Sequence, residues 1–479
     1  MQEQAMQMSF RPLSAAARPL ALAALSLAIV GALAVPRTSH ASAFQLKEDS
    51  AKSMGRAYAG SATAGGDVSV VANNPAAMTD LKGTYFQADV TAINFKTQFH
   101  GSATDAFGRP ISGSNSGDAG TTLPVPAFFL ATQVSDRWHL GLGFSVPFGF
   151  QTNYDRDFVG RYNGLKSKFE SFDATLSASF DVTDTFSLGA SVIAQKTSAE
   201  LTSAVNFNAV ALGLAGQGVA AGALPPSILP AVGQLVPPGS DGFARIKGDD
   251  WGYGWQLGGY WKLTPQDKFA LDYRSKISHK LSGTANFNVP DNVTALLSNP
   301  LVAPLLAGGV PFQHTNATAD FTTPAVASAS YWHQAEKFGL GIDLSWTKWS
   351  EFKNLTVNYE NPAQPPTTQV YNWRNSWYAS VGGDYYLTDK VTLRGGIGID
   401  TTPTYAETRD VRVPDSTRKL LGFGVGYKAS EHFELNASYM HIFVNKAHMN
   451  GATSSTGDVV VGNSDDSGNL LSLSAQYKF

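Results

Sequence analysis

Over most of the chain the apolar positions recur every second residue. Trp138, Leu140, Leu142 and Phe144 alternate with His139, Gly141, Gly143 and Ser145, and Phe186, Leu188, Ala190 and Val192 alternate with Ser187, Gly189 and Ser191. Val391, Leu393, Ile397 and Ile399 alternate with Thr392, Arg394, Gly396 and Gly398, and at the end Leu471, Leu473, Ala475, Tyr477 and Phe479 alternate with Ser472, Ser474, Gln476 and Lys478. A period of two with one greasy face and one small, polar face is a strand signal rather than a helix signal. These segments run for about ten residues or more, the span of a tilted membrane strand.

The connections between strands fall into two classes that alternate along the chain. Six are tight: Ser135-Asp136-Arg137, Thr183-Asp184-Thr185, Thr264-Pro265-Gln266-Asp267, Gln334-Ala335-Glu336, Thr388-Asp389 and Ala429-Ser430-Glu431. Seven are long, covering 100–121, 153–167, 203–250, 287–316, 361–371, 401–416 and 447–467. Thirteen connections join fourteen strands, with both ends of the sheet on the tight-turn side, as in an outer-membrane barrel with periplasmic turns and extracellular loops. Lipid offers no partner to an unpaired N–H or C=O, so such a sheet has to close. Trp138, Trp332, Trp346, Trp349, Trp373, Trp377, Tyr385 and Tyr386 lie near strand ends, where an interfacial girdle would put them. Phe479 sits on the apolar face of the last strand.

Composition agrees with an all-β transmembrane chain. Charged residues make up 15% of the sequence, yet the mean hydropathy is only −0.11. Past residue 36 no uncharged apolar run approaches the length of a spanning helix. A net charge of −3 gives no reason to expect nucleic acid as a partner, and the absence of cysteine suits a chain that crosses an oxidising periplasm unfolded. Residues 1–41 read as a signal peptide. Arg11 and Arg18 precede an apolar run from Leu20 to Val35, and Ser39 and Ala41 occupy the small-residue positions of a cleavage site.

Residues 42–83 break the alternation. They are small and polar, with Gly55, Gly60, Gly65, Gly66 and Asn73-Asn74-Pro75-Ala76, and suit a compact hatch that fills the lumen ahead of a barrel over 84–479. Here the chain resembles a known family. Ser42-Ala43-Phe44-Gln45-Leu46, Gly55-Arg56-Ala57-Tyr58-Ala59-Gly60 and Asn74-Pro75-Ala76 are similar to the N-terminal hatch of the FadL family of outer-membrane transporters of long-chain fatty acids and other hydrophobic compounds. The likeness continues in order through Trp251-Gly252-Tyr253-Gly254-Trp255, Ala270-Leu271-Asp272-Tyr273-Arg274-Ser275, Trp346-Thr347-Lys348-Trp349-Ser350, Val413-Pro414-Asp415 and Ser438-Tyr439-Met440-His441. It implies a fourteen-stranded barrel plugged by the hatch, in agreement with the count made from the turns.

No nucleophile elbow, zinc-protease helix or phosphate loop is present, so the sequence points to no enzyme, no cofactor and no metal. The inward parity carries Asp272, Arg274, Asp343, Arg374, Asp384, Arg394, Arg418 and Glu434, most of which are expected to pair with one another or with the hatch. The resemblance singles out Arg374, in Asn372-Trp373-Arg374-Asn375-Ser376-Trp377, as the carboxylate partner, and Phe44 as the residue that touches the ligand from the mature N-terminus. The family's second basic residue has no match; the nearby position falls around Ser203.

The 203–250 and 287–316 loops are unusually apolar. Leu229 and Val232 in the first and Leu297 and Leu301 in the second are candidate walls of a capture groove. Pro147-Phe148-Gly149 interrupts a regular strand and predicts a kink or bulge, at which the resemblance implies a sideways exit. Asn74-Pro75-Ala76 is expected to pack beside that kink. The reading that follows is a monomeric outer-membrane barrel, embedded in lipid and lipopolysaccharide, that passively carries long-chain fatty acids. The alternative is aromatic hydrocarbons or alkanes on the same scaffold, for which Arg374 would be unnecessary. An open hydrophilic porin would leave the hatch and the apolar loops without purpose, and a barrel enzyme would lack an evident nucleophile.

Overall fold

The computed structural model describes residues 43–299, 306 and 309–479; the leader expected over 1–41 and the candidate Leu301 lie outside the described residues. Fourteen antiparallel strands close on themselves. Nine are unbroken: β1 (Thr84–Thr104), β2 (Thr121–Gln133), β3 (Trp138–Asn153), β4 (Lys166–Thr183), β5 (Phe186–Asn206), β6 (Asp241–Lys262), β11 (Val391–Asp400), β12 (Arg418–Lys428) and β14 (Val459–Lys478). Five are interrupted: β7 (Asp267–Arg274 and Ile277–Asn288), β8 (Thr315–Thr323 and Val326–Gln334), β9 (Phe338–Thr347 and Asn354–Tyr359), β10 (Thr367–Val370 and Ser376–Tyr386) and β13 (Phe433–Val444 and Ala447–Thr453). Closure is made by β1 against β14, in register from Tyr85↔Lys478 to Thr104↔Val459.

The strand parity read from the sequence is the parity of the wall. Leu140, Leu142, Leu188, Val192, Leu393, Ile397, Leu471 and Leu473 are exposed on the outside, whereas Ser177, Ser191, Ser472 and Ser474 are buried inside. All six tight turns fall where expected. The 447–467 segment does not form a long loop: it is mostly strand, belonging to β13 and β14, and only residues 454–458 connect them. The 203–250 loop shrinks in the same way, because β5 and β6 run on as a paired ribbon to Asn206↔Asp241. The residues that extend β6 there are largely polar, because beyond the membrane a strand needs no apolar face.

The girdle is smaller than its sequence roster. Trp138, Trp377 and Tyr385 are exposed, but Trp332, Trp349 and Trp373 are fully buried inside. Trp332 stands on the inward parity of β8, packed over Gly339 and Gly341, whereas for Trp349 and Trp373 the reason lies in the broken strands. β7, β8, β9 and β10 are interrupted at one height, between Arg274 and Ile277, Thr323 and Val326, Thr347 and Asn354, and Val370 and Ser376. Where the ladder lapses, Trp349, Phe352, Tyr371 and Trp373 turn into the lumen. Pro324 and the short 3-10 turn Trp349–Glu351 sit in this seam.

Residues 43–83 lie inside the barrel. They form two single helical turns, α1 (Ala51–Met54) and α2 (Val70–Asn73), and a 3-10 turn, Pro75–Asp80. Ser50 caps α1 through its side chain, and Asn74 caps the 3-10 turn. Charge pairs then fasten the plug to the wall. Arg56 Nη1 donates to both carboxylate oxygens of Asp384 at 3.1 Å, Lys52 Nζ lies 3.0 Å from Glu434, and Asp80 is held by Lys268 at 2.6 Å and Lys262 at 3.1 Å. Other inward charges are engaged too, within the wall or by the plug backbone: Arg274 meets Asp173 at 2.6 Å, Arg394 meets Asp384 at 3.5 Å, and Asp343 accepts from the Ser61 amide at 2.9 Å.

The plug is fitted closely enough that side chains are excluded from parts of the wall. A Cβ on Gly396 would run into the carbonyl of Arg56, whereas a Cβ on the adjacent Gly395 would meet nothing within 4 Å. Gly396→Ala is therefore expected to lower stability by about 1–3 kcal/mol through overpacking, while Gly395→Ala leaves it within about 0.5 kcal/mol of wild type. The loss of heat-modifiable mobility on gels as temperature is raised separates the two.

Candidate functional site

The β2–β3 ladder pairs only from Gln133↔His139 to Phe128↔Phe144. Beyond that point β2 continues to Thr121 with β1 alone, and β3 continues to Asn153 with β4 alone. The cause is one extra residue in β3: Ser145 faces Asp173 and Phe148 faces Ser171, so Val146 and Pro147 stand against Phe172 alone. A bulge of this kind bends its strand away from the neighbour. A proline is tolerated in a sheet where its missing N–H needs no partner, and β2 carries Pro124 and Pro126 along the stretch that β3 has left. The Asn153 amide donates to the Ala119 carbonyl at 2.9 Å and closes the gap at its extracellular end.

The N-terminal residues of the plug dock on the kink. The Leu46 amide donates to Pro147 O at 2.8 Å and the Gly149 amide donates to Phe44 O at 2.9 Å. Phe44 itself is 4% exposed and sits in an aromatic cage, with ring centroids 4.8 Å from Trp349, 4.9 Å from Phe169, 5.2 Å from Phe150 and 5.6 Å from Trp373. Burying such a ring stabilises its seat by about 1.5–3 kcal/mol. One residue earlier, the Ala43 amide donates to Asp415 Oδ2 at 3.2 Å, and Arg418 donates to the Ala43 carbonyl while lying 2.9 Å from Asp415. Burial pushes the Asp415 carboxyl up from its ordinary value, and the Arg418 guanidinium and the Thr402 hydroxyl draw it back.

Three cavities line up around this point. A groove of about 520 Å³ lies under the extracellular helix α3 (Phe207–Ala220), between Val210, Leu214, Phe287, Phe312, Val357 and Tyr359. A neck of about 50 Å³ continues inward past Leu201, Leu355, Tyr371 and Arg412, all of which also line the groove. The neck shares Phe44, Phe150, Lys168, Phe169 and Val413 with an inner cavity of about 310 Å³. That cavity is bounded by Leu123 and Val125 of β2, by Val146 and Gln151 of β3, and by Arg418, so it abuts the gap in the wall.

A plugged fourteen-stranded barrel with a broken β2–β3 seam invites comparison with known proteins. Residues 32–479 match the family model described as outer membrane protein transport protein (OMPP1/FadL/TodX). The chain belongs to this family. Its likeness to a crystal structure of a Pseudomonas aeruginosa FadL homologue has a TM-score of 0.81 at 30% identity, covering 91% of this chain and 100% of the other. A putative outer membrane protein of Neisseria meningitidis serogroup B is 29% identical, over 90% of this chain and 92% of that one, and a long-chain fatty acid transport protein of Escherichia coli O6:H1 is 25% identical, over 87% and 90%. The fold, though not more, is shared with the toluene transporter TodX of Pseudomonas putida, at a TM-score of 0.64 and 18% identity over 91% of this chain and 100% of that one. The protein is thus an outer-membrane barrel of a transport family and not an enzyme.

In this FadL-family barrel the candidates chosen from sequence are only partly gathered together. Phe44, Phe148 and Gly149 meet at the kink, with Pro147 in the bulge. Asn74-Pro75-Ala76 does not pack there: Asn74 Nδ2 donates to the carbonyls of Gly259 at 3.3 Å and Leu271 at 3.2 Å, on β6 and β7. The partner of the kink is Phe44-Gln45-Leu46, because the freed edge needs backbone groups and an extended segment supplies them. Arg374 lines none of these three cavities; its guanidinium stacks on Tyr405 at 4.7 Å and its Nε donates to Thr402 O at 3.4 Å. Leu229 and Val232 of α4 (Ile228–Leu235) and Leu297 of α5 (Asp291–Leu297) pack in the apolar cluster beneath α3 and do not line the groove. Ser203 does line it.

The 410–418 segment is the main feature that sequence reasoning left without a role. Val413-Pro414-Asp415 stands out in the sequence only as a motif and Arg418 only as one inward charge among eight, although together they clamp the plug's first described residue. Replacing Arg418 by Met removes a charge-assisted hydrogen bond of about 1.5–3 kcal/mol. Amide exchange at Leu46 and Gly149 is expected to speed up about ten- to hundredfold, with exchange across the β1–β14 ladder unchanged.

Proposed function

We propose that the protein passively carries long-chain fatty acids or related hydrophobic molecules across the outer membrane. A ligand is captured in the groove beneath α3, passes the neck, displaces Phe44 from its cage and leaves sideways through the β2–β3 gap into the membrane. The observation that supports this most is the shared lining: groove, neck and inner cavity hand residues on to one another from the extracellular loops to a break in the wall. The apolar composition of the passage suits an alkyl chain. Family membership supports the class of cargo, since a relative at 25% identity is named a long-chain fatty acid transport protein. Arg418, already engaged by Asp415, becomes available to a head group once Ala43 is displaced. Arg374 would serve only after leaving Tyr405.

A second reading, uptake of neutral aromatic hydrocarbons, draws support from the phenyl and indole rings of the cage and from the pairing of Arg418 with Asp415 and of Lys168 with Glu170 at 2.9 Å. The two readings share the exit. Deleting Pro147 would remove the extra residue, keep Ser145 and Phe148 on the inward parity and let β3 run on beside β2. In a host lacking its own transporter, uptake of labelled oleate should fall at least about tenfold while oleate still binds the purified barrel. Uptake at the wild-type rate with the bulge removed would refute exit through the gap.

A further inference from the structure

Two of the three cations along the passage are already matched by acids. Lys168 lies 2.9 Å from Glu170, and Arg418 lies 2.9 Å from Asp415. Arg412 is different. It lines both the groove and the neck, and among the described residues no carboxylate pairs with its guanidinium. Its Nη1 alone is engaged, donating to Ser167 Oγ and to the Thr202 carbonyl at 3.2 Å each. The nearest acid in sequence, Asp410, accepts from the backbone amides of Arg412 and Val413; burial pushes its carboxyl up and the charge of Arg412 draws it back, but the two side chains form no salt bridge.

The arm is also held in place. The Arg412 carbonyl accepts from Thr152 Oγ1 at 3.2 Å and the Val411 carbonyl accepts from Tyr154 OH at 2.9 Å. The side chain lies across Gly164, where a Cβ would come within 2.8 Å of its Cγ and 3.3 Å of its Cζ. A cation that makes no salt bridge among the described residues, lines both the groove and the neck, and keeps Nε and Nη2 unengaged is placed to meet a ligand. Arg412 is half-buried there, and a guanidinium so placed binds an oxyanion more strongly than one in bulk solvent.

We infer that Arg412 reads the head group at the neck, so that the passage admits a carboxylate-headed amphiphile in preference to a neutral molecule with the same chain. The Nε and Nη2 edge meets the carboxylate as the tail leads into the Phe44 cage, and the head is passed on once the tail is seated. This rests on the passage proposed above and names its cargo more narrowly.

The test compares initial uptake of radiolabelled oleate and oleyl alcohol, which share a chain and differ in charge, by the full-length protein in a host lacking its own transporter. Each variant's rate is taken relative to wild type for the same ligand. Arg412→Gln is expected to slow oleate about tenfold and leave the alcohol within about twofold, and Arg412→Lys to restore most of the oleate rate. Gly164→Ala keeps the charge but dislodges the arm, and should lower the oleate rate selectively as well. Equal loss of both ligands in a barrel that still shows heat-modifiable mobility, or an unchanged oleate rate in Arg412→Gln, would overturn the inference while leaving the passage intact. If Arg412→Gln fails to fold, Gly164→Ala decides: selective loss supports the inference, and no selective loss overturns it. A wild-type protein that carried neither ligand would refute the passage itself.

Discussion

Everything in this molecule answers to one constraint: in lipid, backbone hydrogen bonds must be made by the protein itself. For most of its circumference the wall meets that demand by closing β1 on β14. Where β3 leaves β2, the ladder fails and its groups need other partners. The plug supplies them. Leu46 and Phe44 take up Pro147 and Gly149 as a short strand would, and the prolines of β2 reduce the number of donors to be satisfied. The break in the wall and the end of the plug therefore form a single structural unit, and a change in one alters the other.

That coupling explains the two grades of attachment within residues 43–83. The part from α1 onward is fixed by buried charge pairs, Arg56 with Asp384 and Lys52 with Glu434, and by backbone lying directly on wall glycines. Removing one partner of a buried pair strands the other and costs about 3–5 kcal/mol, so this part of the plug is built to stay. Residues 43–46 are held by a few backbone hydrogen bonds, one clamp and an aromatic contact surface. Aromatic contacts are replaceable: a hydrocarbon chain offers the cage much the same dispersion as the Phe44 ring does. The lumen thus joins a firmly fixed stopper to a more lightly held tip.

Most of the fold was legible because a membrane barrel writes its geometry in simple terms. Parity tells inside from outside, turn length tells one end from the other, and counting connections gives the strand number. What parity hides is departure from regular pairing. Trp349 and Trp373 look like girdle residues because the sequence does not reveal that β7 to β10 break together at one height; only Pro324 hints at it. The site was legible where a residue carries a backbone consequence, as in Pro147-Phe148-Gly149. It was illegible where it depends on convergence of distant segments, as when 410–418 meets residue 43. The apolar loops do frame a groove, but helices α4 and α5 turn their leucines and valines toward one another and leave α3 to line the cavity.

The arrangement also says why a sideways route suits a greasy molecule better than one straight down. Below the Phe44 cage, the plug presents Ser50, Lys52 and Asp67, and these join Gln87 and Asp89 of β1 in a network of hydrogen bonds such as Ser50 to Asp67 at 2.6 Å, Gln87 to Asp67 at 3.0 Å and Gln87 to Asp89 at 2.9 Å. To pass it, an alkyl chain would have to part that network and exchange apolar surroundings for polar ones, at about 0.8 kcal/mol for each methylene. Turning through the gap between Leu123 and Val146 keeps the chain against hydrocarbon, first of the protein and then of the bilayer. On the proposed route only a head group would meet a barrier, and the cations along the passage lie where they would lower it.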